Sequence, residues 1–150
     1  MIQEPGADPL PPVRCRGVRG ATFVAADTPE AIWEATRELL AAVAAANRID
    51  PTDIASVFFT TTPDLRSAFP ARAARQLGWV DVPLLGATEM DQPGAPTRCI
   101  RVLLHLNTTA RQDEIVHVYL RGSDIMRAND PPSHLAGGPP LHPVAEPGDE

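Results

Sequence analysis

Residues 98–107 read Arg-Cys-Ile-Arg-Val-Leu-Leu-His-Leu-Asn, and their alternation decides the fold. In an extended chain Ile100, Val102, Leu104 and Leu106 share one face. Cys99, Arg101, Leu103, His105 and Asn107 share the other. A wholly aliphatic face needs a core beneath it, so this stretch is a sheet strand with one side covered. Arg101 stands in the middle of the mixed face. A guanidinium half-buried there needs a partner, because stranding it costs several kcal/mol. A structural ion pair with Glu89 or Asp91 would meet that need, and so would a pre-built pocket for an anion.

Working outward, residues 107–112 turn the chain and residues 115–120 (IVHVYL) read as a further strand, with a last short one at 125–127. Upstream, residues 54–61 are rich in aromatic and β-branched side chains and read as a buried strand. Residues 82–85 form a short one. Residues 14–25 carry two Arg-Gly pairs and read as the opening strand. Asp27-Thr28-Pro29-Glu30 starts a helix, with an oxygen cap, an early proline and an acid in the first turn. Ile32, Leu39, Leu40 and Val43 follow at helical spacing, and the helix should end near Asn47. Asp50-Pro51 opens a turn. Residues 70–77 form a second helix closed by Gly78. The order β-α-β-α-β-β-β predicts an α+β domain, with a mixed sheet and both helices on one face.

Prolines mark the edges. Of the 17 in the chain, most lie before residue 13 or beyond residue 130. Such segments hold too few apolar residues to offset ordering entropy. The reading is therefore a flexible extension at 1–13, one domain at 14–128, and a flexible acidic tail at 129–150. At 150 residues with 43% hydrophobic and 21% charged, the chain can bury a core without staples. No apolar stretch approaches the ~20 residues of a membrane span. The first residues lack the basic start and apolar centre of a signal peptide, so a cytoplasmic location is expected. Cys15 and Cys99 are then expected as reduced thiols.

Net charge is −6, which argues against a nucleic-acid partner. All 13 basic residues are arginine. The absence of lysine excludes Schiff-base catalysis and a P-loop lysine. Any bound anion must be gripped by planar forks suited to carboxylate or phosphate. His105, His117, His134 and His142 show no metal-ligand spacing, so no metal site is expected. No nucleophile elbow surrounds Ser56, Ser67 or Ser123, and no Gly-rich phosphate loop occurs. Glu89-Met90-Asp91 follows a short strand, a position that serves catalysis or simple solvation. Tyr119, the only tyrosine, suits either the core or a ligand carboxylate.

Several motifs in order carry a resemblance. They are Arg16-Gly17-Val18-Arg19-Gly20-Ala21-Thr22, Thr62-Pro63-Asp64-Leu65, Ala68-Phe69-Pro70-Ala71-Arg72-Ala73 with Arg75, Glu89-Met90-Asp91, Cys99-Ile100-Arg101-Val102 and His117-Val118-Tyr119-Leu120. Together, over about 14–127, the chain resembles the monofunctional AroH-type chorismate mutases. The resemblance implies a homotrimer that packs into a barrel-like α/β assembly, with active sites between subunits. It implies the Claisen rearrangement of chorismate to prephenate, without metal, cofactor or covalent intermediate. It places Arg101 against the ether oxygen, with Arg19 and Tyr119 on the enolpyruvyl carboxylate. Glu89 would engage the ring hydroxyl and favour a positive ring. Phe69, Ala71, Arg72 and Arg75 would come from a neighbouring subunit, and Arg127 would close over the pocket.

That chemistry suits the residues. A dianion whose breaking ether bond gains negative charge needs fixed charges and a conformational trap rather than a nucleophile. The chain also departs from the pattern. Gly86 stands where a cysteine is frequent and helps hold the ring hydroxyl or the acid. Arg72 replaces a lysine and Val116 an arginine. Ala128-Asn129 replaces Pro-Asp after Arg127. The rival readings are a non-catalytic trimeric anion-binding module and an imine deaminase, a family of similar trimeric architecture. Glu89 together with Arg101 favours the mutase.

Overall fold

The computed structural model describes residue 6 and residues 8–129. It holds five strands and two α-helices in the expected order. These are β1 (Arg14–Phe23), α1 (Pro29–Asn47), β2 (Ile54–Thr61), α2 (Ala71–Gln76), β3 (Leu84–Thr88), β4 (Cys99–Thr108) and β5 (Val118–Tyr119). The strands form one mixed sheet in the order β3-β2-β4-β1-β5. β4 pairs antiparallel with both β1 and β2, while the outer pairs β2/β3 and β1/β5 are parallel. β4, ten residues long like β1, therefore lies at the centre.

Both helices lie on one side. Leu39, Leu40 and Val43 of α1 and Ala74 of α2 join Val18, Val57, Phe59, Val102, Leu104 and Leu106 in one buried cluster. The aliphatic face of β4 read from the alternation is this core. α1 begins as its sequence demands, with the Ala31 N–H donating to Thr28 Oγ1 at 3.2 Å. The left-handed residue at its end is Arg48 rather than Asn47. The Asn47 amide instead donates to Val43 O at 3.0 Å and Val116 O at 2.9 Å. Gly20 lets α1 approach closely. A Cβ there would lie 3.1 Å from Leu39 Cδ1, from Val102 Cγ2 and from the Val118 carbonyl oxygen.

Four expectations shift. β2 is buried on alternate residues only: Val57 and Phe59 face the helices, whereas Phe58 is exposed. β3 starts at Leu84 and runs to Thr88, because it tracks β2 from Val57 to Thr61. Pro83, which has no N–H to give a ladder, contributes only its carbonyl to Val57 N. The stretch 115–120 shrinks to Val118–Tyr119. Side chains take the place of its ladder: Val116 N donates to Asn47 Oδ1 at 2.8 Å, and His117 Nδ1 accepts from Arg19 N at 2.9 Å. The stretch 125–127 is not a strand but part of a 3-10 helix, Ser123–Asn129. Arg121 and Gly122 both take positive φ (53° and 81°) and turn the chain, which breaks any extension of β5. The Arg127–Asp124 pair then spans one helical turn.

Residues 8–13 are exposed and carry no regular structure. The expected tail from 130 onward, with His134 and His142, lies outside the described residues. No helix among the described residues is long and apolar enough to cross a membrane. Both cysteines are free thiols, Cys15 exposed and Cys99 buried.

Candidate active site

The face of the sheet turned away from the helices carries the chemistry. Register places Ala87, Thr60, Arg101, Ala21 and Tyr119 side by side across all five strands. Paired residues point to the same side, so these side chains form one row. Ala21 is the small member that leaves room between Arg101 and Tyr119. The next row on this face holds Leu85, Phe58, Leu103 and Arg19.

Glu89 sits directly beyond β3, anchored by its N–H donating to Thr61 O at 2.8 Å. Its carboxylate bends back over the first row. Oε2 accepts from Thr60 Oγ1 at 2.6 Å and from Arg101 Nη1 at 3.2 Å. Oε1 accepts from Met90 N at 3.3 Å. Both partners of the ion pair are partly open to solvent, with side chains 28% exposed for Arg101 and 23% for Glu89. Desolvation opposes ionisation of Glu89. The Thr60 hydroxyl, the Arg101 charge and the Met90 N–H outweigh it, and the carboxyl is held below its ordinary value. The site therefore presents one fixed cation beside one fixed anion at neutral pH.

A cleft of about 180 Å³ opens over this pair, lined by Thr62, Asp64, Glu89, Cys99, Arg101 and Met126, among others. Burial pushes the Cys99 thiol up to about 11; the nearby Arg101 charge opposes this, and Glu89 and Asp64 add to it. A thiol that stays protonated at neutral pH is no nucleophile. Among the described residues, no group of three or more His, Cys, Asp or Glu side chains is arranged to hold a metal.

Behind the cleft, Tyr119 packs with Ala21, Cys99 and Met126. Its hydroxyl is buried without a hydrogen-bond partner among the described residues, and so is Arg127 Nε. The Arg127 guanidinium lies over the Tyr119 ring, 4.9 Å from its centroid. Leaving a buried polar group unpaired costs ~1–3 kcal/mol. Both are donors, and a carboxylate that reached them would satisfy them.

The structure thus brings Arg19, Glu89, Arg101, Tyr119 and Arg127 to one side of the sheet, and of these Glu89 and Arg101 line the cleft. It does not bring the remaining candidates there. Phe69 is exposed ahead of α2. Ala71 packs on the helix-side core. Arg72 stacks over the Trp33 ring at 4.6 Å, and Arg75 donates to the carbonyls of Trp79 and Val80. Gly86 pairs with Phe59, so a side chain there would point to the helix side, away from Glu89. None of these five lines the cleft.

The sequence motifs include Thr62 and Cys99 without giving them a place in the site, and Thr60 lies outside every motif. Thr62 closes the cleft wall by accepting the Cys99 N–H on its hydroxyl at 3.0 Å. The alternation of β2 puts Thr60 on the Phe58 face. Only the pairing with β4 sets it beside Arg101.

Comparison with known proteins identifies the family. The family model described as chorismate mutase type I matches residues 15–130. A chorismate mutase AroH of Thermus thermophilus is 56% identical over 107 residues, which is 71% of this chain and 88% of that protein. The chorismate mutase AroH of Bacillus subtilis (strain 168) is 42% identical over 113 residues, 75% of this chain and 89% of its own length. A solved chorismate mutase from Clostridium thermocellum superposes with a TM-score of 0.72 at 43% identity. That match covers 73% of this chain and 97% of the other.

Proposed function

The chain belongs to the chorismate mutase type I family, and from that premise we propose how its residues rearrange chorismate to prephenate. It is an isomerase of aromatic amino acid biosynthesis. The reaction breaks an ether C–O bond and forms a C–C bond within one molecule. Its transition state places negative charge on the ether oxygen and positive charge on the ring. No proton, electron or water is exchanged, so the enzyme's part is electrostatic and conformational.

The observation that carries the reading is the Arg101–Glu89 pair at the cleft, opposite charges held 3.2 Å apart. Arg101 takes the ether oxygen, where negative charge develops. Glu89 takes the ring hydroxyl and the side of the ring that becomes positive. The unpaired Tyr119 hydroxyl and Arg127 Nε, with Arg19 on the same face, receive the enolpyruvyl carboxylate. Binding both ends holds the substrate in its reactive diaxial form.

The catalytic domain is residues 14–128, and it works as a homotrimer. Support for assembly comes from the exposed apolar side chains Phe58, Leu85 and Leu103, which lie together in one row of the open sheet face. Covering them with a second copy removes that surface from water. Phe69, Ala71, Arg72 and Arg75 then complete the site of an adjacent subunit, with Arg72 and Arg75 supplying further cations toward the dianion.

The test is direct. Pure, chelator-treated protein added to chorismate should abolish the chorismate absorbance and yield prephenate without nucleotide or metal. No turnover under these conditions, or activity only after metal is restored, would overturn the reading.

A further inference from the structure

We propose that Thr60 is a positioning residue for the reaction, its hydroxyl fixing the Glu89 carboxylate against the substrate ring. The proposal rests on the reading of Glu89 given above.

Glu89 is poorly placed to orient itself. It lies just past β3, an edge strand, and no α-helix or strand follows it until β4. Thr60 lies on β2, which is bonded on both sides, to β3 and to β4. A carboxylate only accepts, so the hydroxyl must donate to it. The contact, 2.6 Å from Thr60 Oγ1 to Glu89 Oε2, is shorter than the other two on that carboxylate, 3.2 Å from Arg101 and 3.3 Å from Met90 N. A β-branched side chain restricted at χ1 holds that donor in one direction.

Arg101 cannot do this alone. In the proposed mechanism its guanidinium turns part of its donor capacity to the ether oxygen as charge develops there. Thr60 has no such second demand. Its hydroxyl keeps Glu89 in place at the moment when Arg101 is shared. Register leaves apolar Ala87 on one side of Thr60 and Arg101 on the other, and a guanidinium, which only donates, cannot take the hydroxyl's proton from Glu89.

Thr60→Val removes the donor with little change in shape and keeps a residue suited to a strand. It should lower kcat about tenfold, the order expected for losing one hydrogen bond to a charged group, while KM changes less. Thr60→Ser keeps the donor and should recover most of the loss. The pH profile supplies a second readout. Without the hydroxyl the ionised form of Glu89 loses a stabilising contact, so the acid limb of kcat should move to higher pH. The other groups around Glu89 are Arg101 and Cys99 on β4, Asp64 after β2 and Asp91 on its own loop, and all are unchanged in the variant. In a Glu89→Gln background, Thr60→Val should cost almost nothing further.

Light scattering and thermal midpoints should match the parent protein, with Thr60→Ala as a second donor-less variant. Wild-type kcat and an unmoved acid limb in Thr60→Val overturn the proposal. So does loss of assembly in both the Val and Ala variants, which would make Thr60 merely structural. If Glu89→Gln leaves kcat unchanged, the assignment of Glu89 fails, and Thr60 with it. If Glu89→Gln lowers kcat and Thr60→Val does not, only Thr60 falls.

Discussion

On the helix-covered face of the sheet, Val57, Phe59, Val102 and Leu104 are at most 4% exposed; on the opposite face Phe58, Leu103 and Leu85 are 41%, 38% and 58% exposed. β2 and β4 supply both sets, residue by residue in alternation, and β3 adds Leu85 to the second. Burial explains the first set fully. The second is as apolar but nothing in the protomer covers it, and the ionic pair Arg101–Glu89 stands at its border. One face holds the chain together. The other leaves apolar side chains and an ion pair open, and the proposed function assigns these to assembly and chemistry.

Substitutions on the two faces should therefore separate activity from stability. The largest effect is expected at Arg101. A fixed cation that meets charge developing in the transition state lowers the barrier more than it aids binding. Losing one such donor costs on the order of 3–4 kcal/mol, or about 10²–10³ in rate. Arg101→Ala should lower kcat by that factor with a smaller change in KM and an intact fold by circular dichroism. Arg101→Lys keeps charge without the fork and should recover part. Near-normal kcat in a folded Arg101→Ala protein would sink the assignment.

Leu104, three residues along the same strand but on the covered face, should behave in reverse. Leu104→Ala opens a cavity in the core and should cost about 2–5 kcal/mol of stability in denaturant unfolding. The kcat of the protein that remains folded should stay close to the parent value. A large kcat loss at full folding would blur the division between the faces.

Phe58→Asp tests the open face itself. A charge in that apolar row should disfavour pairing between copies while leaving the helix-side core untouched. Light scattering should then report a smaller species that retains its secondary structure, with activity falling alongside assembly. A variant that keeps the parent's size would show that this row is not where copies meet.

The smallest effect concerns pH. The Glu89 carboxyl is held below its ordinary 4.5, so the ionised form is still the majority when pH falls to that value. Its contribution to stability, present above the unfolded value, is lost only as pH falls through the lower folded one. The acid decline of kcat should accordingly have its midpoint below 4.5. A decline centred well above 4.5 would mean that the contacts holding Glu89 are absent in solution.

Much of this was legible in the chain. The alternation of 98–107, the Thr28 cap, the helical spacing from Ile32 to Val43 and the order of elements all depend on neighbours within a turn or a few residues. Local sterics and local hydrogen bonds set them, and they appear in the structure nearly as written. Arg101 also announced its need for a partner, since a guanidinium on a half-covered strand cannot stand alone. Which acid would answer, Glu89 or Asp91, was beyond the reach of sequence. So were the hydroxyl of Thr60, the reduction of 115–120 to two paired residues, and the turning of Gly86 away from the acid. Each depends on register between segments tens of residues apart. A slip of one residue would send Thr60 to the helices and Phe59 to the cleft. That register is fixed by the joint burial of Val18, Phe59, Leu104 and α1, a collective fit that no single stretch of the chain contains.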